Sequence, residues 1–399
     1  MMTDTIPAYE TTRIKRRSRS RPISRDEDAV GDAAANPLLD KSAYPPREVA
    51  IYDRAALLDQ LERVYGRPYM FDDELELGLP QPSLSTEEQV RLEKLRWLAD
   101  DERGAARSLL FGSQAMRDRL AEVRLACPTF ATVIDLIDRA VALSMMSEAA
   151  ISVPPLLLLG PPGVGKTHAS KAIAGALGTA VHAFACSTNS DAQQLIVGHP
   201  TSWRGSRMSV VNEALIGGNT AQPVIVLDEI DKFDSHRDEQ PYNVLLNVLE
   251  PVNSRALHDE YLRIPFDLSG AIVIATANDA GRLPPHIQDR LVTFEIPIPT
   301  GDDLRAITKL IAAAALEEAR GAIEPPDDRV IARLARANPR RISRIVRLAL
   351  GYAAAASRRH LTVGDVEAAD GLGPPAVEVQ PTGFLGGDPG GGTQGGRIG

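Results

Sequence analysis

The sequence predicts an α/β fold, in which a parallel β-sheet carries helices on both faces and is preceded and followed by helical segments. Short apolar runs recur between residues 154 and 299, among them "LLLLG", "PVIVLDE" and "AIVIATAN". Helical patterns separate these runs, and strands without polar alternation are typical of parallel sheets buried on both faces. From residue 300 to about residue 372 the pattern is almost entirely helical, which predicts a small all-α region after the sheet.

Amphipathic helices are predicted before the sheet. Residues 52–66 place four apolar side chains on one helical face and end at a glycine. Residues 85–104 begin with Ser85 and Glu88 at capping-box spacing, and we expect Trp97 to pack among the leucines of this helix. Two further helices are expected over residues 113–125 and 130–146.

These patterns divide the chain into five predicted parts. They are a basic leader (1–45), a helical N-terminal segment (46–126), a large α/β domain (127–300), a helical lid domain (301–372) and a Gly/Pro-rich tail (373–399). The leader contains a dense basic block, Arg13 to Arg25, with almost no apolar residues, and such a segment is expected to be disordered. It is either a solvated tail or an arm that contacts nucleic acid or an acidic partner.

Composition restricts the class of protein. The net charge of −9 argues against a protein that coats nucleic acid. Two cysteines, Cys127 and Cys186, make neither a disulfide framework nor a four-ligand zinc site, so a reducing cytoplasmic location is expected. The longest apolar run, "PPLLLLG", is far shorter than the roughly 20 residues that cross a bilayer, and we expect no membrane partner.

A phosphate-binding loop is predicted in "LLLLGPPGVGKTH", which matches G-x-x-x-x-G-K-[ST] between a strand and a helix. Its members are Gly160, Pro161, Pro162, Gly163, Val164, Gly165, Lys166 and Thr167. The glycines allow backbone N–H groups to wrap phosphates, and the helix N-terminus adds positive potential. We expect Lys166 to reach the terminal phosphates of ATP and the Thr167 hydroxyl to bind Mg²⁺. The strand-to-helix context argues against a purely structural glycine turn.

Two acidic residues follow a later predicted strand, in "PVIVLDEIDK". Asp228 ends that strand, at the sheet edge where ligands bind in such folds, and we expect it to hold Mg²⁺ through water. Glu229 is expected to polarise the attacking water. Another strand, "AIVIATAN", ends at Asn278, which we expect to orient the same water. Together these residues predict ATP hydrolysis in addition to binding.

Arg290 follows a short predicted helix in "LPPHIQDRL". From this position its guanidinium is expected to reach the γ-phosphate held by an adjacent subunit and to stabilise the charge of the transition state. That role requires a homo-oligomer. The alternative is a surface ion pair, and the sequence alone leaves both interpretations open.

The order of these motifs resembles that of AAA+ ATPases, which are P-loop NTPases with a helical lid. The closer resemblance is to the ATPase module of the Lon protease family, over about residues 130–372. It rests on "LLLLGPPGVGKT", "VGHPTSWRG", "VIVLDEIDK", "YLRIPFDLS" and "IATANDAGRLPPHIQDRL", which stand in the family's order.

The resemblance implies roles for single residues. Asn278 resembles the first sensor of the family, and Arg290 resembles its arginine finger. Arg340 is similar to the second sensor, which contacts phosphate from the lid of the same subunit, and Arg341 and Arg344 are neighbouring alternatives. The resemblance also implies a ring of identical subunits, a hexamer, with the ATP sites at the subunit interfaces.

A substrate-gripping loop is implied for "SWRG". In Lon-like modules this pore loop carries an aromatic residue, so by resemblance Trp203 grips a polypeptide and Gly205 allows the loop to flex. The alternative is that Trp203 packs beneath its own loop. Arg204 stands where an apolar residue is expected, which leaves open whether the substrates are acidic.

The favoured interpretation is an ATP-driven motor that remodels, unfolds or disassembles a protein partner. We expect no peptidase activity, because fewer than thirty residues follow Leu372 and no fold of that size buries a core. One alternative is a nucleic-acid-associated AAA+ ATPase that loads or moves a factor on DNA, using residues 13–25. Another is a regulatory switch that rarely hydrolyses ATP, and Asp228 and Glu229 argue against it.

Overall fold

The computed structural model describes residues 47–65, 84–186, 196–202, 206–233 and 241–372. In these ranges the strands are β1 (Glu48–Ala50), β2 (Ala106–Ser108), β3 (Leu156–Leu159), β4 (Val181–Ala185), β5 (Val224–Asp228), β6 (Leu257–His258), β7 (Pro265–Phe266), β8 (Ile272–Ala277) and β9 (Val292–Glu295). 

The helices of the described ranges surround and follow these strands. They are α1 (Arg54–Tyr65), α2 (Thr86–Ala99), α3 (Gln114–Ala126), α4 (Ala131–Ser147), α5 (Lys166–Leu177), α6 (Val210–Gly217), α7 (Pro241–Leu249), α8 (Pro251–Ser254), α9 (Pro285–Gln288), α10 (Gly301–Glu318), α11 (Asp328–Leu334), α12 (Pro339–Ala355) and α13 (Val363–Gly371). Within this part of the chain, none combines the length and the apolar character that a membrane-spanning helix requires.

The central sheet is parallel throughout, with the strand order β4-β5-β8-β3-β9. Successive side chains of a strand point to opposite faces. Accordingly, Leu157 and Ile225 lie in one hydrophobic cluster, whereas Leu156 and Val224 lie in another. Side chains of α1, α2, α6 and α7 complete the first cluster, and those of α3, α4 and α5 complete the second. These layers confirm the predicted α/β fold.

The two N-terminal helices share a core with the sheet. Leu57 of α1 and Leu95 of α2 are fully buried in the first cluster. Arg91 of α2 is also buried, and its Nε donates to the carbonyl oxygen of Tyr261 at 2.7 Å. The division of the chain at residue 126 stays a prediction, since the packing of α1 and α2 is continuous with that of the sheet.

Helix α2 begins as predicted, with a reciprocal capping box between Ser85 and Glu88. The expected packing role of Trp97 is wrong, because this residue is 48 % exposed and the Lys94 ammonium lies 4.6 Å from its ring centroid. At about 100° per residue, Trp97 lies roughly 160° around the helix from the centre of the three buried leucines. Helical spacing therefore turns the ring toward solvent.

The last four helices, α10 to α13, enclose a hydrophobic core of their own, with Val330, Ile345 and Val366 nearly or fully buried. They occupy the range predicted to be all helical. Asn338 is the N-cap residue of α12, and its Oδ1 accepts a hydrogen bond from the Arg341 N–H at 2.9 Å. Proline follows this cap at the first helical position, where its missing N–H costs no hydrogen bond.

Several predictions fall outside the described residues. The basic block 13–25 and the Gly/Pro-rich tail 373–399 lie there, as do Trp203 and Gly205 of the expected pore loop. Their predicted roles stay predictions.

Candidate nucleotide site

The phosphate loop connects β3 to α5, and its glycines occupy positions that other residues tolerate poorly. Gly163 and Gly165 have φ values of 83° and 101°, in the left-handed region that favours glycine. A Cβ atom on Gly160 would lie 2.6 Å from the carbonyl oxygen of Ile296. The backbone therefore adopts the wrapped conformation that a phosphate-binding loop requires.

Lys166 begins helix α5, and its ammonium lies inside the loop. Its Nζ donates to the carbonyl oxygens of Gly160 and Pro161, at 2.6 and 3.3 Å, and to Oδ1 of Asn278 at 2.9 Å. Burial lowers the pKa of Lys166, while nearby carboxylates, foremost Asp228, oppose that shift. The predicted lysine and the predicted sensor are thus in direct contact.

The two residues predicted to hold Mg²⁺ also meet. Thr167 Oγ1 donates to Asp228 Oδ2 at 3.1 Å, which joins the start of α5 to the end of β5. A hydroxyl and a carboxylate are oxygen ligands of the kind that Mg²⁺ prefers, with its remaining positions taken by water and substrate phosphate. The donor set present here fits that ion.

Thr276 is a site residue that the sequence reasoning missed. It is fully buried in β8, next to β5, and its Oγ1 donates to Asp228 Oδ1 at 2.5 Å. The same oxygen accepts the N–H of Glu229 at 3.0 Å. One hydroxyl therefore fixes both acidic residues. The only local signal was a polar residue inside an otherwise apolar strand.

Glu229 and Asn278 each have further support. Glu229 has a left-handed backbone, with φ of 58°, and its Oε1 accepts from Lys232 Nζ at 2.7 Å. Asp231, also missed by sequence reasoning, is nearly buried, and its Oδ2 accepts the N–H groups of Asn278 at 3.2 Å and Asp279 at 3.3 Å. The turn that carries Glu229 and Asp231 (the acidic turn) is consequently hydrogen-bonded to the turn that carries Asn278 and Asp279 (the sensor turn).

The predicted lid, helices α10 to α13, brings Arg340 to the same region. A Cβ atom on Gly163 would lie 3.5 Å from Arg340 Cβ and 3.6 Å from Asn338 Oδ1, so α12 begins beside the phosphate loop. Arg341 is ion-paired with Asp370 at 2.6 Å inside the lid. This arrangement favours Arg340 over Arg341 as the lid arginine of the site.

Arg290 lies in an ion pair within its own chain. Its Nη2 lies 2.5 Å from Glu250 Oε1, and Nη1 donates to the carbonyl oxygen of His286 at 2.5 Å. The surface ion pair foreseen as an alternative is therefore present. The predicted contact with an adjacent subunit stays a prediction, because the structure describes one chain.

Residues that flank the expected pore loop are joined by a backbone hydrogen bond. His199 N–H donates to the Arg207 carbonyl oxygen at 3.0 Å, which closes the loop at its ends. Nearby, the fully buried Asp259 accepts from the N–H groups of Ser209 at 2.9 Å and Leu262 at 2.8 Å. Burial raises the pKa of Asp259, and these hydrogen bonds oppose that shift.

The cysteines do not belong to the chemistry of the site. Cys127 and Cys186 are both free and buried, and burial raises the pKa of each thiol. A thiol with a raised pKa carries almost no thiolate at neutral pH and is a poor nucleophile.

Comparison with known sequences decides the class of this domain. Residues 156–299 match the family described as "ATPase family associated with various cellular activities (AAA)". This region is an AAA ATPase domain. It runs from β3 past β9 and contains the phosphate loop, the acidic turn, the sensor turn and Arg290.

The AAA domain is similar to part of the Lon proteases. Lon protease 2 of Bdellovibrio bacteriovorus is 39 % identical over 171 residues, which is 43 % of this chain and 21 % of that protein. Lon protease of Methanosarcina barkeri is 38 % identical over 154 residues, covering 39 % and 19 %. The peroxisomal Lon protease homolog 2 of Danio rerio is 37 % identical over 150 residues, covering 38 % and 18 %. The match spans about one fifth of each relative, and it confirms the Lon-like character of the ATPase domain.

Solved structures are more distantly similar. Two mutant forms of RuvB from Thermotoga maritima are 17 % and 16 % identical, and each alignment covers 61 % of this chain and 69 % of that chain at a TM-score of 0.42. A likeness at this level carries no argument about function.

Proposed function

We propose that this protein is an ATP-hydrolysing AAA+ motor that remodels, unfolds or disassembles a protein partner, and that it works as a homo-oligomer, a hexamer. The observation that carries this proposal is the meeting of Lys166, Asp228 and Asn278 at one edge of the parallel sheet, around a glycine loop. The similarity of the AAA domain to Lon proteases supports a protein as the partner.

The chain's own residues account for nucleotide binding. Backbone N–H groups of the phosphate loop and Lys166 bind the β- and γ-phosphates of ATP. Thr167 and Asp228 hold Mg²⁺, which when bound neutralises charge on the phosphate oxygens. Arg340 approaches the phosphates from the lid, which makes the position of the lid sensitive to the bound nucleotide.

Hydrolysis follows from the acidic turn. Glu229 orients a water molecule and accepts one of its protons as the water oxygen forms a bond to the γ-phosphorus. The bond between that phosphorus and the oxygen of ADP breaks, and the products are ADP and inorganic phosphate. Asn278 orients the same water through its amide. Arg290 of a neighbouring subunit stabilises the charge that develops on the γ-phosphate oxygens.

The mechanical step uses the pore loop. Trp203 grips the polypeptide and Gly205 allows the loop to move with each nucleotide cycle. The hydrogen bond between His199 and Arg207, which flank this loop, supports this proposal because a loop must be anchored in order to pull. Since both cysteines are free, we place the protein in the reducing cytoplasm.

The test is steady-state ATP turnover of the full chain, measured alone, with an unfolded polypeptide and with single- or double-stranded DNA. The wild-type protein is compared with Glu229→Gln and Trp203→Ala. We expect Glu229→Gln to bind ATP and lose turnover, and the unfolded polypeptide to stimulate the wild type but not Trp203→Ala. Gel electrophoresis of the same reactions is expected to show the polypeptide uncut.

Each part of the proposal has its own opposing result. Unchanged turnover in Glu229→Gln would contradict the assignment of the hydrolytic site. Stimulation by DNA alone, indifferent to Trp203, would replace the protein-remodelling motor with a nucleic-acid-associated ATPase. Cleavage of the polypeptide would contradict the expectation that the motor leaves its substrate uncut.

A further inference from the structure

Arg290 is held by its own chain in a defined orientation. Its Nε donates to Glu250 Oε1 at 2.5 Å, Nη2 lies 2.5 Å from the same oxygen, and Nη1 donates to the carbonyl oxygen of His286 at 2.5 Å. A guanidinium has five N–H groups. Among the described residues, these three contacts leave one N–H on each terminal nitrogen, and the side chain is 35 % exposed. The guanidinium is therefore fixed while a pair of donors stays available.

Glu250 is fixed in turn. It directly follows α7 and is the N-cap residue of α8, and its Oε2 accepts from Asn253 Nδ2 at 2.9 Å. The buried side chain of Leu245 packs α7 against the first hydrophobic cluster. At the other end of α7, the Tyr242 hydroxyl donates to the Ile230 carbonyl oxygen at 3.1 Å, in the turn that follows Glu229. One anchored helix thus runs from the acidic turn to the carboxylate that holds Arg290.

We propose that Glu250 is the positioning residue of Arg290, which it orients so that the two remaining N–H groups donate to the γ-phosphate bound by a neighbouring subunit. This inference rests on the proposed function, in which Arg290 acts on an adjacent site. Two parallel donors in a planar fork match the geometry of phosphate oxygens, and an arginine already held in place loses little rotamer freedom when it binds them.

Orientation, and not charge, is the benefit that Glu250 supplies. A carboxylate beside the guanidinium reduces the net positive charge near the phosphate, so its charge alone would oppose the role of Arg290. Glutamine keeps an oxygen that accepts from the guanidinium, whereas alanine has none. The Glu250→Gln variant should therefore retain turnover within about threefold, and Glu250→Ala should lower kcat about tenfold or more, with KM for ATP nearly unchanged.

The experiment measures kcat, KM and ATP affinity for the assembled full chain with Glu250→Ala, Glu250→Gln, Arg290→Ala and the double variant Glu250→Ala/Arg290→Ala. We expect kcat of the double variant to be no lower than kcat of Arg290→Ala, because Glu250 acts only through Arg290. The matched control is Glu318→Ala, which breaks the exposed ion pair to Arg347 (2.8 Å) and should leave kcat unchanged. Thermal melting checks that each variant is folded.

Asn253→Ala provides a milder second variant, because it removes only the hydrogen bond to Glu250 Oε2. Its loss of kcat should be smaller than that of Glu250→Ala.

Failure of this inference differs from failure of the proposed function. If Arg290→Ala loses turnover and Glu250→Ala does not, Arg290 keeps its role and the inference about Glu250 is overturned. It is equally overturned if Glu250→Gln is as slow as Glu250→Ala, or if the two single losses multiply in the double variant. If Arg290→Ala retains full turnover, the intersubunit role of Arg290 is itself wrong, and the inference falls with it.

Discussion

Residues that support a proposed catalytic group through a hydrogen bond are prominent in this site, and Thr276 is the best defined. Its hydroxyl donates to Asp228 and accepts the N–H of Glu229, so the side chain of one acid and the backbone of the other share a support. Because Thr276 is fully buried, water has no access to replace these bonds. The relative placement of Asp228, the proposed metal ligand, and of Glu229, which is proposed to orient water, depends on this hydroxyl.

We expect Thr276→Val to lower kcat for ATP roughly tenfold or more, because losing two buried hydrogen bonds misplaces Glu229 while the phosphate loop is untouched. ATP affinity should change little. Steady-state turnover and equilibrium nucleotide binding, measured on the same preparation, check both statements.

The matched control is Thr308→Val, which changes another fully buried threonine, whose hydroxyl donates only to the Leu304 carbonyl oxygen of its own helix. Its turnover should stay at the wild-type level. Equal losses of turnover in the two variants would mean that Thr276 supports folding in general and not the acidic turn.

At this scale the sequence predicts the residues whose spacing is local and misses those whose partners are distant in the chain. Lys166 and Thr167 follow from one eight-residue motif, and Asp228 from the end of an apolar strand. Thr276 lies inside the quoted string "AIVIATAN" and Glu250 lies outside the quoted strings, but no local spacing marks the role of either side chain, because these roles arise where β8 lies beside β5 and where α7 ends near Arg290. Strand register and helix packing create these contacts, and a single sequence does not display them.

At the scale of elements, the lid owes part of its stability to the cap of its last helix. Thr362 and Asp365 form a reciprocal capping box at the start of α13. Asp365 is almost buried, and it also accepts from Arg358 Nη1 at 2.7 Å and Nη2 at 2.6 Å. These side-chain bonds from Arg358, with those from Thr362, hold the pKa of Asp365 well below its usual range.

Asp365→Asn is expected to lower the melting temperature by a few degrees at neutral pH, with a pH dependence that follows from the sign of the shift. A carboxyl whose pKa is lower in the folded state stabilises the fold above its unfolded pKa of about 4, and this contribution is lost as the pH falls toward the folded value. The difference between wild type and variant should therefore be constant above about pH 5 and shrink below about pH 4. Thermal melts of both proteins at pH values from about 3 to about 8 measure this difference in melting temperature, on both sides of the unfolded pKa.

Asp328→Asn is the control for this experiment. Asp328 also lies in the lid, but it is highly exposed, and its pair with Lys309 spans 3.3 Å. Exposed ion pairs contribute little to stability. A difference in melting temperature between wild type and Asp365→Asn that is as large at pH 3 as at neutral pH would contradict the ionic origin of the cap's effect.

The elements themselves are largely readable from the sequence. The capping pair Ser85 and Glu88, the phosphate-loop helix and the apolar strands all carry local signals that the structure confirms. Trp97 shows where such reading fails: three leucines define the buried side of α2, and a residue between them in sequence lies elsewhere around the helix. The residue pattern predicts the amphipathic helix, whereas the position of Trp97 around the helix axis decides whether its ring is exposed.

For the whole molecule, the proposed assembly separates the two halves of each active site. Lys166, Glu229 and Asn278 belong to the chain that binds ATP, and Arg290 is proposed to serve the next subunit. A subunit that lacks Glu229 still carries an intact Arg290 and a subunit that lacks Arg290 still carries an intact Glu229. Two inactive variants of these kinds are therefore complementary in a mixed ring but not in separate rings.

We expect Glu229→Gln and Arg290→Ala to be inactive alone and to regain ATP turnover when unfolded together and reassembled. In a random equimolar ring, an active interface needs an Arg290→Ala subunit that binds ATP beside a Glu229→Gln subunit, which gives about a quarter of the wild-type rate if the sites are independent. The control mixture combines Glu229→Gln with Lys166→Ala. Lys166 and Glu229 belong to the same half of the proposed site, so every subunit of this mixture lacks one of the two, and the mixture should stay inactive. Mixtures of Glu229→Gln and Arg290→Ala that remain inactive, while mass measurement shows mixed oligomers, would mean that Arg290 acts within its own chain, where its pair with Glu250 already holds it.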